Sequence, residues 1–539
     1  MGASFGLIEA ALIAFCYFLG TCEIIWLGAF CSHPIFLGMI FGLAYGDITQ
    51  GMIIGGTLQL YYLGNIALAG TILQDQALAC CIAIPLALKT GIGAEAALIV
   101  AIPFGVFGGT LDSFRRLING RFNAMVNKAI DELNFKKITF NGFYLPIMFQ
   151  FVVRWIPAFI ILFFAGSGIA TLLENLPAWL SNGFIVIGNM LPALGLIMCA
   201  TLIGQKKLIP FFFLGFIGMT LTGMTSFTFA VIGVLIAIIY INTSNDYADI
   251  ESGGNFFENV GEVRTNSLFT KKDHFIIGQR VFNMHRASNS LEFLYGSSYA
   301  VAVMPALRKI YGDDTEGLKE ALHRHTLPYM TEQAWGQVIT GAALAMEEEI
   351  ANGNEEVTGE EVVAFKSGLM GPMASFGDTI LYVTLMPIVN SLIIPFAMSG
   401  QVWTGFVPVL YFWIFIGSIY YPMQLLGYNA GRTSIITLMK SGMLKKVMAG
   451  AGVLGMIMMG AMSANYAKIT TPVTWVVNAG QASETTIVLQ DVLNGLMPNI
   501  LTLIFVGLTY FYIMKGGKYI KVIITVCVIG MLGSILGIF

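Results

Sequence analysis

Residues 208–242 contain no charged side chain. About 20 residues of helix cross a bilayer, so this single run is long enough for two crossings. Apolar segments also run through 5–30, 34–46, 67–88, 92–110, 143–165 and 183–203. After a polar interval they return at 379–398, 403–421, 446–463, 498–514 and 521–539. In hydrocarbon a backbone must satisfy its own hydrogen bonds, and a helix does so within one segment. The expectation is an all-α polytopic membrane protein. Composition agrees: 56% of the 539 residues are hydrophobic and 11% charged, against about 25% charged in soluble domains. The 61 glycines and 28 methionines suit closely approaching membrane helices. A net charge of −3 gives no ground for nucleic-acid binding. The seven cysteines form no CxxC pair and lie mostly in apolar stretches, so they read as reduced small hydrophobes. The apolar run after Met1 lacks a basic flank and reads as the first retained segment.

The unevenness of hydropathy sets the expected boundaries. Residues 1–243 form a first membrane domain, 244–280 a polar linker and 281–539 a second domain, with an amphipathic region at 281–366 and a membrane region at 367–539. Within the first, 113–140 interleaves Arg115, Arg116, Arg121, Lys128, Lys136 and Lys137 with apolar residues. That pattern predicts an amphipathic surface helix on the cytoplasmic side. The Thr- and Val-rich stretch at 469–490 predicts short strands outside the membrane. Two halves of similar length fit a transporter with its site between them.

Four constellations carry candidate chemistry. In 46–64, "GDITQGMIIGGTLQLYYLG", paired glycines precede Gln59, Tyr61 and Tyr62. The glycines allow either unwound backbone at a cavity or close helix contact. The Gln59 amide both donates and accepts, which suits sugar hydroxyls. In "GTILQDQALA", Gln74, Asp75 and Gln76 interrupt apolar sequence, as a functional site or as an exposed turn. In 367–388, Gly371–Pro372 is expected to break a helix, and Gly377–Asp378 to open the next. Asp378 then either caps that helix or faces a cavity. In 321–337, His323 and His325 precede Glu347–Glu349, but the spacing matches no zinc signature. No metal site is expected, and the glutamates read as a solvated face. No P-loop, cofactor motif or catalytic constellation is found, so the chain is not expected to be catalytic alone.

"GGTLQLYYLG", His33–Pro34 and "PFFFLGF" at Pro210–Phe216 resemble the IIC subunit of the mannose/fructose/sorbose phosphotransferase family, over residues 1–243. "MPALRKIY", "LAMEEE", "GLMGPMASFGD", "LGYNAGR" and "LNGLMPN" resemble its IID subunit, over about 281–539. The resemblance implies a fused, elevator-type transporter in the bacterial cytoplasmic membrane, with interrupted helices, a rigid scaffold and a moving core, assembled as a homotrimer among lipid. It implies uptake of a hexose or amino sugar and its phosphorylation by a separate cytoplasmic IIB protein, with IIA, HPr and enzyme I upstream. Carried over by position, sugar contacts come from Gln59, Gln74 and Asp75 in the first half. In the second they come from the Glu292 neighbourhood, Thr331 and Asp378.

The chain departs from the family pattern at the implied contacts. Gln59 stands where Glu is frequent, "NSLEF" where the family reads Trp-Asn-Tyr/Phe-Glu-Arg, and "YMTEQ" at 329–333 where it reads "FFNT". The pathway class is therefore expected without a particular sugar. Two rivals remain at this point: an ion-coupled transporter using Glu23, Asp75 or Arg154, and a membrane receptor or scaffold.

Overall fold

The computed structural model describes residues 5–22, 30–63, 74–166, 206–224, 226–244, 267–440, 443–477, 485–517 and 519–538, with isolated positions at 28, 168 and between 182 and 200. The described part of the first half comprises α1 (Leu7–Thr21), α2 (Pro34–Tyr45), α3 (Ile48–Tyr62), α4 (Gln76–Thr90), α5 (Ala94–Asp131), α6 (Leu145–Ile160), α7 (Ile209–Thr222) and α8 (Ser226–Thr243). The second half adds α9 (Lys271–Met284), α10 (Gly296–Tyr311), α11 (Thr315–Thr326), α12 (Gln337–Ala351), α13 (Gly359–Gly377), α14 (Met386–Met398), α15 (Gly417–Lys440), α16 (Met443–Tyr466), α17 (Ile500–Met514) and α18 (Tyr519–Ile535). Strands β1 (Thr474–Val477) and β2 (Thr485–Val488) pair antiparallel, where strands were expected. Helix α9 begins inside the stretch read as linker, most of which lies outside the described residues.

Among the described residues, four helical stretches are long and apolar enough to cross a membrane: Ala94–Asp131, Phe135–Phe164, Gly359–Met398 and Val402–Gly431. A fifth candidate is the pair Leu489–Leu496 and Ile500–Met514, bent by 72°. The chain is thus a helical, multi-pass membrane protein.

Two sequence expectations change here. Residues 113–131 do not form a separate surface helix; they continue the 38-residue α5. Its Arg115, Arg116, Asn119 and Asn123 are buried; Arg115 pairs with Asp112 of the same helix, and the second half covers the two asparagines. Asn119 donates to the Asn289 carbonyl at 2.8 Å and Asn123 to Ser290 Oγ at 2.9 Å. Nor does Pro372 end its helix, since α13 runs through it to Gly377. The irregularity comes later, as a π-helical segment at Asp378–Leu385. Such segments widen one turn and are frequent at functional sites.

The α2–α3 hairpin shows why the glycines of 46–64 are there. Gly46 ends α2 at φ 78°, a left-handed conformation that costs glycine little. Asp47 then caps α3 by accepting from the Gln50 N–H at 2.9 Å. A Cβ on Gly55 would meet the Gly38 Cα at 3.0 Å, and one on Gly51 would strike Gly42. α3 is a regular helix and the glycines form its contact seam, so the helix-contact reading holds over unwound backbone. Gly56, on another face, meets Ala397 and Met398 of α14. The largest apolar core mixes residues of both halves, and α16 lies against α7 and α8.

Candidate functional site

At the junction of the halves, Gln59 of α3 is buried and faces His33, the residue that caps α2. The His33 ring meets Phe412 of the second half edge-on, with centroids 5.8 Å apart. Phe412 in turn neighbours Tyr382 at 6.5 Å. Tyr382 lies on the π-helical segment one turn beyond Asp378, receives a hydrogen bond from Gln333 Nε2, and is within electrostatic reach of Glu332, Arg286 and Asp378. An unbroken line of side-chain neighbours therefore joins Gln59 to the turn at 331–336 and to Asp378.

This turn is buried and polar. The Glu332 carboxylate accepts from the Ala334 N–H at 2.9 and 3.0 Å and from the Trp335 N–H at 2.7 Å. It lies against Gly377, where a Cβ would meet Glu332 Cβ and Cγ at 2.7 Å. Only glycine at 377 lets α13 approach so closely. Burial pushes the Glu332 carboxyl up to about 7, against the pull of those N–H groups and with help from Asp378. Buried Thr331 Oγ1 and Trp335 Nε1 have no hydrogen-bond partner among the described residues; Gln59 Oε1 and His33 Nδ1 make no bond of standard geometry either, although the two side chains face each other closely enough to interact. Buried polar atoms are nearly always paired, so orphans at both ends of this line call for an outside partner. A molecule rich in hydroxyls supplies donors and acceptors to each of them.

The six site residues expected from sequence fare differently. Gln59, Thr331 and Asp378 lie along this line of neighbours, linked through His33, Phe412, Tyr382 and Gln333 and not by direct contact with one another. Asp378 does not cap a helix; its backbone is in the middle of a continuous helical path. Gln74 is one step removed, accepting from Tyr61 Oη at 3.0 Å. Asp75 is not an exposed turn. It is buried, caps α4 by accepting from the Ala77 and Leu78 N–H groups, each at 3.1 Å, and accepts from Tyr17 Oη at 2.9 Å and Arg154 Nη1 at 2.5 Å. Arg154 also pairs with Asp112 at 2.8 Å. Four donors occupy the carboxylate, which here anchors α1, α4, α5 and α6 to one another. Glu292 sits exposed on the turn following Ser290 and joins none of these contacts.

Glu332, Gln333 and His33 were not singled out from the sequence. The usable signal was an acidic residue in the otherwise uncharged "LPYMTEQAWGQ". The reading of Glu347–Glu349 as a solvated face fails at Glu347, which is buried. It pairs with Arg324 Nε and His325 Nε2, each at 2.9 Å, and accepts from Tyr311 at 2.7 Å. Burial would raise its carboxyl, but His325 and Arg324 overcome this and hold it at about 2. Burial and the neighbouring Lys366 lower His325 to about 4. Lys366 Nζ donates to His325 Nδ1 at 3.1 Å, so the neutral imidazole carries its proton on Nε2, towards Glu347.

Comparison with known proteins agrees with this two-part build. Residues 7–239 match the family model described as the sorbose-specific IIC component of a PTS system, and residues 268–539 match the mannose/fructose/sorbose family IID component. The second half is 30% identical over 260 residues to the mannose-specific EIID component of Escherichia coli (strain K12), covering 47% of this chain and 90% of that protein. It is 31% identical over 278 residues to the fructose permease IID component of Bacillus subtilis (strain 168), covering 49% and 97%. The first half is 30% identical over 217 residues to the mannose-specific EIIC component of Escherichia coli (strain K12), covering 40% and 81%. The chain belongs to the mannose/fructose/sorbose family of phosphotransferase-system components, and it joins a IIC and a IID part in one polypeptide.

Proposed function

We propose that this chain is the complete translocation unit of a sugar phosphotransferase system, with the sugar bound between its IIC and IID halves and phosphorylated by a separate IIB protein. The observation that carries the site is the set of buried polar atoms without a hydrogen bond of standard geometry at Gln59, His33, Thr331 and Trp335. Gln59, Thr331 and Asp378 are the direct contacts in this reading. Asp75 and Gln74 hold α4 and α3 in register behind them.

The sugar hydroxyls replace water with Gln59 and Thr331 as partners, while the aromatic edges of Phe412 and Tyr382 flank the ring faces. When IIB delivers a phosphoryl group to a sugar hydroxyl, the product gains about two negative charges. A site bearing Asp378 and Glu332 repels that product, so release is favoured on the side where transfer occurs. Energy comes from the phosphoryl donor, which accords with a chain in which no nucleotide motif was found.

The elevator motion and the homotrimer belong to the same proposal. Support for the motion comes from the π-helical segments at Asp378–Leu385 and Phe412–Ile416, which place loosened turns at Tyr382 and at its neighbour Phe412. The ion-coupled alternative loses support where Arg154 and Asp75 are already paired with each other; Glu23 lies outside the described residues.

The test uses vesicles containing the purified chain and a radiolabelled hexose. Sugar should accumulate as its phosphate only when phosphorylated IIB is supplied. Free sugar accumulating against its gradient without IIB would refute the coupling. Calorimetry on T331A, with binding unchanged, would refute the site.

A further inference from the structure

We propose that the C-terminal part of α5, with the start of the Phe135–Phe164 stretch beside it, holds the headgroup of an anionic phospholipid of the cytoplasmic leaflet, and that Arg121 and Lys128 are its partners. Two contacts fix how these helices lie side by side. Arg154 pairs with Asp112 at 2.8 Å, and Asn141 Nδ2 donates to the Met125 carbonyl at 3.2 Å. The contacts are evenly spaced along both helices, so the pair runs antiparallel in constant register up to the turn after Asp131. Arg121 then stands level with Leu145, next to Tyr144, and Lys128 with Ile138.

The outer face of this pair changes character along its length. Phe114 and Leu117 on α5 and Tyr144 and Met148 opposite are exposed. Phe149 joins the two rows, meeting Phe114 at 6.3 Å and Phe122 at 5.8 Å between ring centroids. An apolar face on stretches long enough to cross a membrane belongs against acyl chains. Tyr144 marks the headgroup level, where an amphipathic ring settles. Beyond it the face turns basic: Arg121, Lys128, Lys136 and Lys137 are exposed, which sets this end on the cytoplasmic side. Arg121 and Lys128 continue the row of Phe114 and Leu117 at three- and four-residue spacing. They are two turns apart, about 10 Å. Side chains on a helix lean towards its N-terminus, and for α5 that direction is towards the bilayer.

These cations are not used by protein acids. Glu132 pairs with Lys137 at 2.7 Å and Asp131 with His323 at 2.8 Å, while Arg121, Lys128 and Lys136 make no ion pair among the described residues. Arg308 of the second half adds another cation, 4.1 Å from the centroid of the Phe135 ring. A phospholipid brings a negative phosphate and acyl chains that continue down the apolar face; a soluble anion brings the charge alone. One Lys or Arg at an anionic surface favours binding roughly fivefold, so the pair gives a preference of about 25-fold.

The experiment is native mass spectrometry of the full chain in detergent, titrated with phosphatidylglycerol and with phosphatidylcholine of the same acyl chains. The first phosphatidylglycerol should be retained at a lipid concentration at least tenfold lower. R121Q/K128Q should shrink that gap below threefold, and R121K/K128R, which keeps both charges, should preserve it. Should R121Q/K128Q not fold, K128Q alone should lose about fivefold. Equal retention of the two lipids, or a gap that R121Q/K128Q leaves intact, overturns the proposal. Displacement of the lipid by millimolar inorganic phosphate overturns it in favour of a free-anion site. An assembly of several copies that dissociates in R121Q/K128Q and retains no phosphatidylglycerol overturns it in favour of a second copy of the chain.

Discussion

Glu332 and Glu347 stand at the two ends of α12, one in the turn that leads into it and one in its last turns, and both are shielded from solvent. Around Glu347 every acceptor position is claimed by Arg324, His325 and Tyr311. Around Glu332 only the backbone donates, and the charged side chain that acts on it is a second acid, Asp378. The same residue type, equally buried, is thus a structural tie in one place and a group without a charged partner in the other. Burial alone does not mark a functional group; burial with partners left over does. The Arg154–Asp75–Asp112 network of the first half repeats the saturated case, and Gln59 with His33 repeats the open one.

The largest effect should come from breaking the saturated region. R324M leaves buried Glu347 with only His325 and the neutral Tyr311 hydroxyl as partners, and removing one partner of a buried pair costs about 3–5 kcal/mol. A sharp fall in thermal midpoint and in folded yield is expected; an unchanged midpoint would erase the distinction between the regions.

The second prediction sets the two glutamates against each other by pH. The folded chain holds Glu332 at about 7, above its ordinary 4.5, so it binds that proton more tightly than the unfolded chain. Stability from this group is full below 4.5 and is lost as pH rises to about 7, by about 3 kcal/mol. Glu347, held at about 2, contributes the opposite: stability present above 4.5 that disappears as pH falls towards 2. Thermal midpoints of E332Q against the parent should show the parent losing ground between pH 5 and 8. A parallel pair of curves would contradict it.

Third, D378A should lower sugar affinity at least a hundredfold, about 2.7 kcal/mol, with little change in midpoint, because Asp378 caps no helix. Calorimetry and a melting curve on the same sample check both halves of that statement, and a fallen midpoint would move Asp378 to the saturated class. The smallest effect is expected at Gln59. Q59E replaces a group that donates and accepts by one that only accepts, leaving a substrate acceptor unpaired at about 1–3 kcal/mol. The order of preference across a sugar panel should change; uniform weakening would show that Gln59 does not discriminate.

Much of this was legible in sequence, for physical reasons. Apolar runs have to become membrane helices, and the family motifs pointed to Gln59, Thr331 and Asp378, which lie along one line of neighbours and which the proposed site uses. What stayed hidden depends on long-range approach. Glu332 is buried because Gly377 lets α13 lie on it. Glu347 is buried because α11 brings Arg324 and His325 to it. Arg115 turns inward to pair with Asp112 of its own helix, and Asn119 and Asn123 do so because the second half covers α5 there. Pro372 misled because a proline removes one donor and one turn's fit, which a long helix with tertiary support tolerates.

The glycine seam between α2 and α3 has a mechanical meaning. Where two backbones touch with no side chains between them, there are no rotamers to rearrange and no gap to compress. Gln59 and His33 sit on opposite arms of that hairpin, so in the proposed elevator motion their separation stays fixed. At the proposed site the hairpin then acts as a caliper, holding one constant spacing against which the hydroxyls of an incoming sugar are measured.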